Sequence, residues 1–209
     1  MSQTLLEEFT GVTSAVLAPL TVEQYHAMIR AGILPEGAPI ELIDGLLIRK
    51  DRRDKGGSIM TVGPRHSMVL LESAEVLRTL LKGVNVHVRE QQPITLNDIQ
   101  EPEPDVAVAL GKASSYADQH PGPGDVPLVI EVADSSLAFD RRDKLQKYAA
   151  AGIPMYWIVN LNDDVIEVYS LPQPQLATYQ DRSDYRPGDT ISVVIAGTTV
   201  NIPAADVLV

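Results

Sequence analysis

The stretch PLVIEVADSSLAFDRRDKLQKYAAAGIPMYWIVNL, residues 127–161, reads as strand, helix, strand. PLVIEVA is a short apolar run rich in β-branched residues, the pattern of a strand buried on both faces. DRRDKLQKYAAAG, residues 140–152, predicts a helix that starts at Asp140, stops at Gly152 and carries Leu145, Tyr148 and Ala149 on one face. MYWIVNL then returns as a second apolar strand. One residue breaks the pattern: Glu131 sits inside the first strand among Leu128, Val129, Ile130 and Val132. An unpaired ionised carboxylate in such surroundings costs several kcal/mol, so Glu131 must be paired, protonated or bound to a metal.

Upstream of this stretch, residues 66 to 82 carry Met68, Val69, Leu71, Val76, Leu77, Leu80 and Leu81 at three- and four-residue spacings. That spacing predicts an amphipathic helix stopped by Gly83. NVHVREQQPITL and PDVAVAL follow as two strands, the second headed by Pro104-Asp105. The middle of the chain is therefore helix, three strands, helix, strand, and VIEVYSL adds a further strand. Thr21 caps a short helix, TVEQYHAMIRAG, and Asp44-Gly45 in IELIDGLLIRK marks a tight hairpin. Residues 1–19 read as an arm, RKDRRDKGG (49–57) as an exposed loop, and the Pro-containing tail to Val209 as extra short strands. The expectation is one α/β domain over residues 1–209, with residues 66–161 as its core and a mixed central sheet.

Composition narrows the chemistry. With 17 Lys and Arg against 28 Asp and Glu, the chain carries a formal charge of −11, which excludes a polybasic nucleic-acid binder. It does not exclude a phosphate site whose positive charge comes from a carboxylate-held cation. The absence of Cys removes thiol nucleophiles and thiolate metal sites. No run approaches the roughly 18 apolar residues of a membrane helix, and Glu7 and Glu8 stand where a secretory signal would be basic, so no membrane association and a cytoplasmic location are expected.

Asp105 and Glu131 head and interrupt two buried strands. Two acids on adjacent strands can share a hard divalent ion such as Mg²⁺, which prefers oxygen ligands and keeps several waters. Lys144, in the helix after the Glu131 strand, is a candidate to hold an attacking water or a phosphate. A salt bridge for Glu131, turn chemistry for Asp105 and a solvated helix lysine are the plainer alternatives.

Asp44-Gly45 in ELIDG, His66 at a helix start, Pro104-Asp105, Glu131-Val132 with Ser135 and Ser136, then Asp140, Lys144, Tyr148, Gly152 and Tyr156-Trp157 together resemble the Uma-two family of bacterial endonucleases, from about residue 20 to 170. That family belongs to the restriction-endonuclease-like, or PD-(D/E)XK, superfamily, whose core order is helix, three strands, helix, strand. The resemblance implies metal-dependent hydrolysis of DNA, with Asp105, Glu131 and Val132 at a Mg²⁺ or Mn²⁺ ion. The superfamily's lysine, two residues after the second acid, is here Ala133, and the resemblance implies that Lys144 takes its role. The alternatives are a catalytically inactive binding or assembly module of the same fold, and a metal-free sugar or small-molecule hydrolase using the two acids.

Around these three residues, Glu41, Gln91 and Gln92 could line the cleft, His66 could contact phosphate or cap its helix, and Asp140 could cap its helix and orient Lys144. Tyr148, Tyr156 and Trp157 read as core aromatics. Two patches hold nine of the 17 bases: Arg49, Lys50, Arg52, Arg53 and Lys55 in one loop, and Arg141, Arg142, Lys144 and Lys147 in one helix. Brought to one cleft, they would attract phosphate. The arm and the tail strands are natural interface elements, which makes a homodimer the expected assembly.

Overall fold

The computed structural model describes residues 18–49 and 63–209; most of the N-terminal arm and most of the basic loop lie outside the described residues. Helix α1 (Val22–Arg30) opens on a capping box between Thr21 and Gln24, which satisfies two backbone donors reciprocally. Strands β1 (Ile40–Ile43) and β2 (Leu46–Arg49) form the hairpin read from Asp44-Gly45, with both turn residues at positive φ (53° and 69°). Only glycine fits at position 45, because a Cβ there would lie 2.3 Å from the Cβ of Pro19.

Helix α2 (Pro64–Leu80) starts two residues earlier than the spacing predicts, with Pro64 in its first turn behind Gly63. His66 is therefore inside the first turn and does not cap. The buried face of α2 is Val69, Leu70, Ser73, Ala74 and Leu77, whereas Met68, Leu71 and Leu80 are exposed. The apolar spacing matched two adjacent stripes, and small residues at 73 and 74 let the helix approach the sheet on the other one.

Strands β3 (Val86–Glu90), β4 (Val106–Leu110), β5 (Leu128–Ala133), β6 (Met155–Asn160), β7 (Val165–Gln173) and β8 (Thr178–Tyr185) form one mixed sheet in the order β3-β4-β5-β6-β7-β8. Every neighbouring pair is antiparallel except β5 with β6. A parallel pair needs a crossover, and the helical run between them supplies it. That run is α3 (Leu137–Phe139), a π-helical turn (Asp140–Lys144) and α4 (Leu145–Ala150). It begins before Asp140, so Asp140 is interior and does not cap the helix. Strands β9 (Thr190–Ile195) and β10 (Thr198–Pro203) form a separate C-terminal hairpin.

Strands β5 and β6 are buried along their whole length, as their unbroken apolar character requires. One face of the sheet packs Leu128, Ile130, Val132 and Trp157 against Val69, Leu70 and Leu77 of α2 and against Ile191 and Ile202 of the C-terminal hairpin. The other packs Ala107, Val129, Ala133, Tyr156 and Ile158 against Tyr148, Ala149 and Ile153. At about 1.5–3 kcal/mol for each large side chain, these two layers hold α2 and α4 on opposite faces of β5. Glu131 projects toward the α4 side, in the alternation of Val129 and Ala133.

Candidate active site

Register brings the first two acids together. Val106 pairs with Ile130, so Asp105, one residue before β4, falls level with Glu131. The backbone N–H of Val132 donates to Asp105 Oδ2 at 2.9 Å, and Gln91 Nε2 donates to Asp105 Oδ1 at 3.3 Å. Gln91 follows β3 at φ 47°, and its backbone N–H donates to the Asp105 carbonyl at 3.0 Å. His66 arrives from the first turn of α2, its Nε2 at 3.2 Å from Asp105 Oδ2. Burial lowers its pKa, but its hydrogen bond to Asp105 and the nearby charge of Glu131 outweigh that and raise it.

From the opposite face comes Lys144, with its Nζ at 2.8 Å from Glu131 Oε1 and 3.7 Å from Glu41 Oε2. The amine is fully buried; desolvation pushes its pKa down, and Glu131, Glu41 and Asp140 together hold it above the ordinary lysine value. It is therefore an ammonium group. Tyr148, four residues further along the helix, donates its hydroxyl to the same Glu131 oxygen at 2.7 Å. Burial and Glu131 push its pKa well up, so it stays protonated and keeps donating. Glu41, on β1, accepts from the Glu103 backbone N–H at 3.1 Å. Asp140 is buried, accepts from Ser136 Oγ at 2.6 Å, and has its pKa raised by burial against the opposing pull of Lys144.

The structure thus gathers Asp105, Glu131, Lys144, Glu41, His66, Gln91 and Asp140 around one point. Gln92, by contrast, is exposed on the neighbouring loop. Ala133, at the superfamily's lysine position, is fully buried, and the ammonium group beside Glu131 is that of Lys144, at the end of the π-helical turn. Sequence reasoning missed the hydroxyl of Tyr148. Its one-turn spacing from Lys144 was the available signal, masked by the aromatic's fit as a core residue.

Among the described residues, four buried carboxylates, Asp105, Glu131, Glu41 and Asp140, stand around Lys144 and His66. Oxygen donors at that density suit a hard divalent cation, and Asp105 and Glu131 are the residues that would hold it.

A second buried acid shares the row. Glu131 pairs with Ile158 and Ile158 with Glu167, so the two acids flank Ile158 on one face of the sheet. Arg141 Nε donates to both Glu167 oxygens at 3.1 Å, Tyr169 donates its hydroxyl at 2.7 Å, and these contacts lower the Glu167 pKa against its burial. The π turn lets Arg141 and Lys144 aim at different strands.

The expected basic patch of this helix is otherwise spent. Lys144 is buried on Glu131, Arg141 is held by Glu167, and Lys147 Nζ lies 2.7 Å from Asp44 Oδ1 on the β1–β2 turn. Arg142 remains outward beside Asp143. Acids on β5, β7 and the β1–β2 turn claim most of its charge.

A mixed six-stranded sheet flanked by helices, with two acids level on adjacent strands, is a nuclease-like α/β architecture. The chain belongs to the Uma2 family, whose description is "Putative restriction endonuclease" and whose model matches residues 22–203. Its structure is similar to the crystal structure of a protein described as "a putative nuclease belonging to DUF820" from Anabaena variabilis, with a TM-score of 0.64 and 18% identity over 91% of this chain and 98% of that one. At that identity the likeness shows the fold. No curated protein matches the chain. Among the described residues no helix is long and apolar enough to cross a membrane.

Proposed function

We propose that this protein is a divalent-metal-dependent endonuclease that hydrolyses DNA phosphodiester bonds. The observation that carries this reading is the meeting of Asp105, Glu131 and Lys144 in one buried cluster, with the lysine ammonium 2.8 Å from Glu131 Oε1. Asp105 and Glu131, beside Val132, would hold a Mg²⁺ or Mn²⁺ ion, which when bound would supply positive charge for the phosphoryl oxygens and acidify a water. The chain's own residues do the rest. Lys144, kept charged by three carboxylates, offers a fixed cation to the developing phosphorane charge and to the attacking water. Tyr148 and the Val132 N–H hold Glu131 and Asp105 in place, while Gln91 and His66 fix the second side of Asp105. His66, its pKa raised, is suited to donate to a phosphate oxygen or the leaving oxygen.

Cleavage of supercoiled plasmid in Mn²⁺ or Mg²⁺ tests the reading. Nicking or linearisation that stops with EDTA and with Asp105→Ala supports it; an Asp105→Ala protein as fast as wild type would overturn it. Since each chain supplies one such cluster, cutting both strands would be served by a two-fold homodimer, which sedimentation with and without DNA addresses.

A further inference from the structure

Away from the Asp105 cluster, three side chains distant in sequence converge. His26 lies on α1, Glu101 on the segment leading into β4, and His120 on the connector from β4 to β5. One ligand atom from each lies within 4.8 Å of the others. Among the described residues this is the group with such an arrangement of metal-binding atoms. Glu101 is 1% exposed; its Oε1 meets His26 Nε2 at 2.6 Å and its Oε2 accepts from Thr95 Oγ1 at 2.6 Å. The His26 and His120 rings stand nearly perpendicular, 5.9 Å between centroids.

The geometry points to a second metal centre, in which His26, Glu101 and His120 bind a divalent transition ion of the Zn²⁺ class. A His–Glu ion pair alone accounts for two of the three residues but leaves the second imidazole, converging on the same carboxylate, unexplained. Two imidazoles and one carboxylate are a donor set for Zn²⁺, Co²⁺ or Fe²⁺ and a poor one for Mg²⁺. Zinc bonds of about 2.0–2.1 Å in a tetrahedron separate ligand atoms by about 3.3 Å, so the His26–Glu101 contact opens by less than 1 Å as an ion enters. Thr95 holds the other carboxylate oxygen, the kind of outer support that orients a ligating acid. All three residues border a cavity; it has a volume of about 370 Å³ and gives the ion an approach path and room for a water or small ligand at a fourth position.

The site ties together parts that bear on the first cluster. The Glu101 backbone bridges that of Leu42 in both directions, 2.8 and 3.3 Å, and Leu42 adjoins Glu41. An ion at Glu101 fastens α1 and the β4–β5 connector onto the hairpin that presents Glu41 to Lys144. The centre is structural in that sense, and its metal differs in kind from the one at Asp105 and Glu131.

Chelator-stripped full-length protein, titrated near neutral pH with Zn²⁺ by calorimetry and with Co²⁺ by visible absorption, tests this. The expected result is uptake of one Zn²⁺ per chain that excess Mg²⁺ does not displace, d–d bands on Co²⁺ addition, and a higher thermal midpoint with Zn²⁺. Uptake persists in an Asp105→Asn/Glu131→Gln double variant and weakens at least about 10-fold in His120→Ala and in His26→Gln. Wild-type protein that takes up no Zn²⁺ and shows no Co²⁺ bands overturns the proposal without any variant. So does uptake unchanged by both histidine substitutions, or abolished by the Asp105/Glu131 pair.

Discussion

The ammonium group of Lys144 and the carboxylate of Glu131 meet at 2.8 Å inside the protein, thirteen residues apart in sequence and on different elements. Both are nearly inaccessible, and Glu131 takes a second hydrogen bond from Tyr148. Removing one partner of such a pair leaves a buried charge uncompensated, which typically costs 3–5 kcal/mol.

Lys144→Met is therefore expected to lower unfolding stability by about 3 kcal/mol in EDTA, with part of the loss recovered in Lys144→Met/Glu131→Gln, because the double variant removes both charges. Urea unfolding of the four proteins measures the coupling. Additive losses would mean that the two groups do not interact. Mn²⁺ should also stabilise the single variant more than wild type, since the freed carboxylate gains a cation.

Tyr148→Phe keeps the ring and removes the donor. A stability loss of about 1–2 kcal/mol is expected, because Glu131 loses a hydrogen bond to a charged acceptor in a buried place. Plasmid cleavage should fall with it, and more steeply at low Mn²⁺ if Tyr148 orients Glu131 toward the ion. An unchanged metal dependence would assign the hydroxyl to packing alone.

His66 sets a pH dependence whose sign follows from its raised pKa. The folded state binds its proton more tightly than the unfolded state, whose pKa is near 6.5. Its pairing with Asp105 thus stabilises fully below about 6.5 and is lost as pH rises through the higher folded value. His66→Gln should lower stability below about 6.5 and remove the decline above it, so that the two profiles converge at high pH; a wild-type profile in the variant would show that the pair contributes nothing.

Glu167 works in the opposite direction. Its pKa is held below the ordinary 4.5 by Arg141, Tyr169 and Arg182 against burial, so its stabilisation is present above 4.5 and lost as pH falls through the lower folded value. Arg141→Met should shift the acid unfolding transition to higher pH, read by circular dichroism. No shift would mean that Tyr169 and Arg182 suffice.

DNA affinity should be low and steeply salt-dependent without divalent ion, since the chain's formal charge is −11 and the Lys144 helix spends most of its bases on acids. Fluorescence anisotropy with an oligonucleotide in EDTA and in Ca²⁺ checks this. Tight binding in EDTA would shift attention to the basic stretch around residues 49–57.

Element order was legible in the chain because each element declares itself locally. The apolar runs around Asp105 and Glu131, the Asp44-Gly45 turn and the Thr21 cap depend on neighbours within a few residues. Glu131 in particular announced itself, since a carboxylate in an apolar strand must find a partner. The partners themselves were decided by tertiary structure. Which stripe of α2 is buried depends on how closely Ser73 and Ala74 let it approach the sheet, and the π turn that separates Arg141 from Lys144 depends on two carboxylates placed by sheet register. Tyr148 looked like packing because its ring is, while its hydroxyl role exists only once β5 runs beneath it. His26, Glu101 and His120 belong to three segments with no shared periodicity. Local patterning fixes where a side chain lies along its element; only the pairing of β4 with β5 and the parallel crossover to β6 determine what it faces.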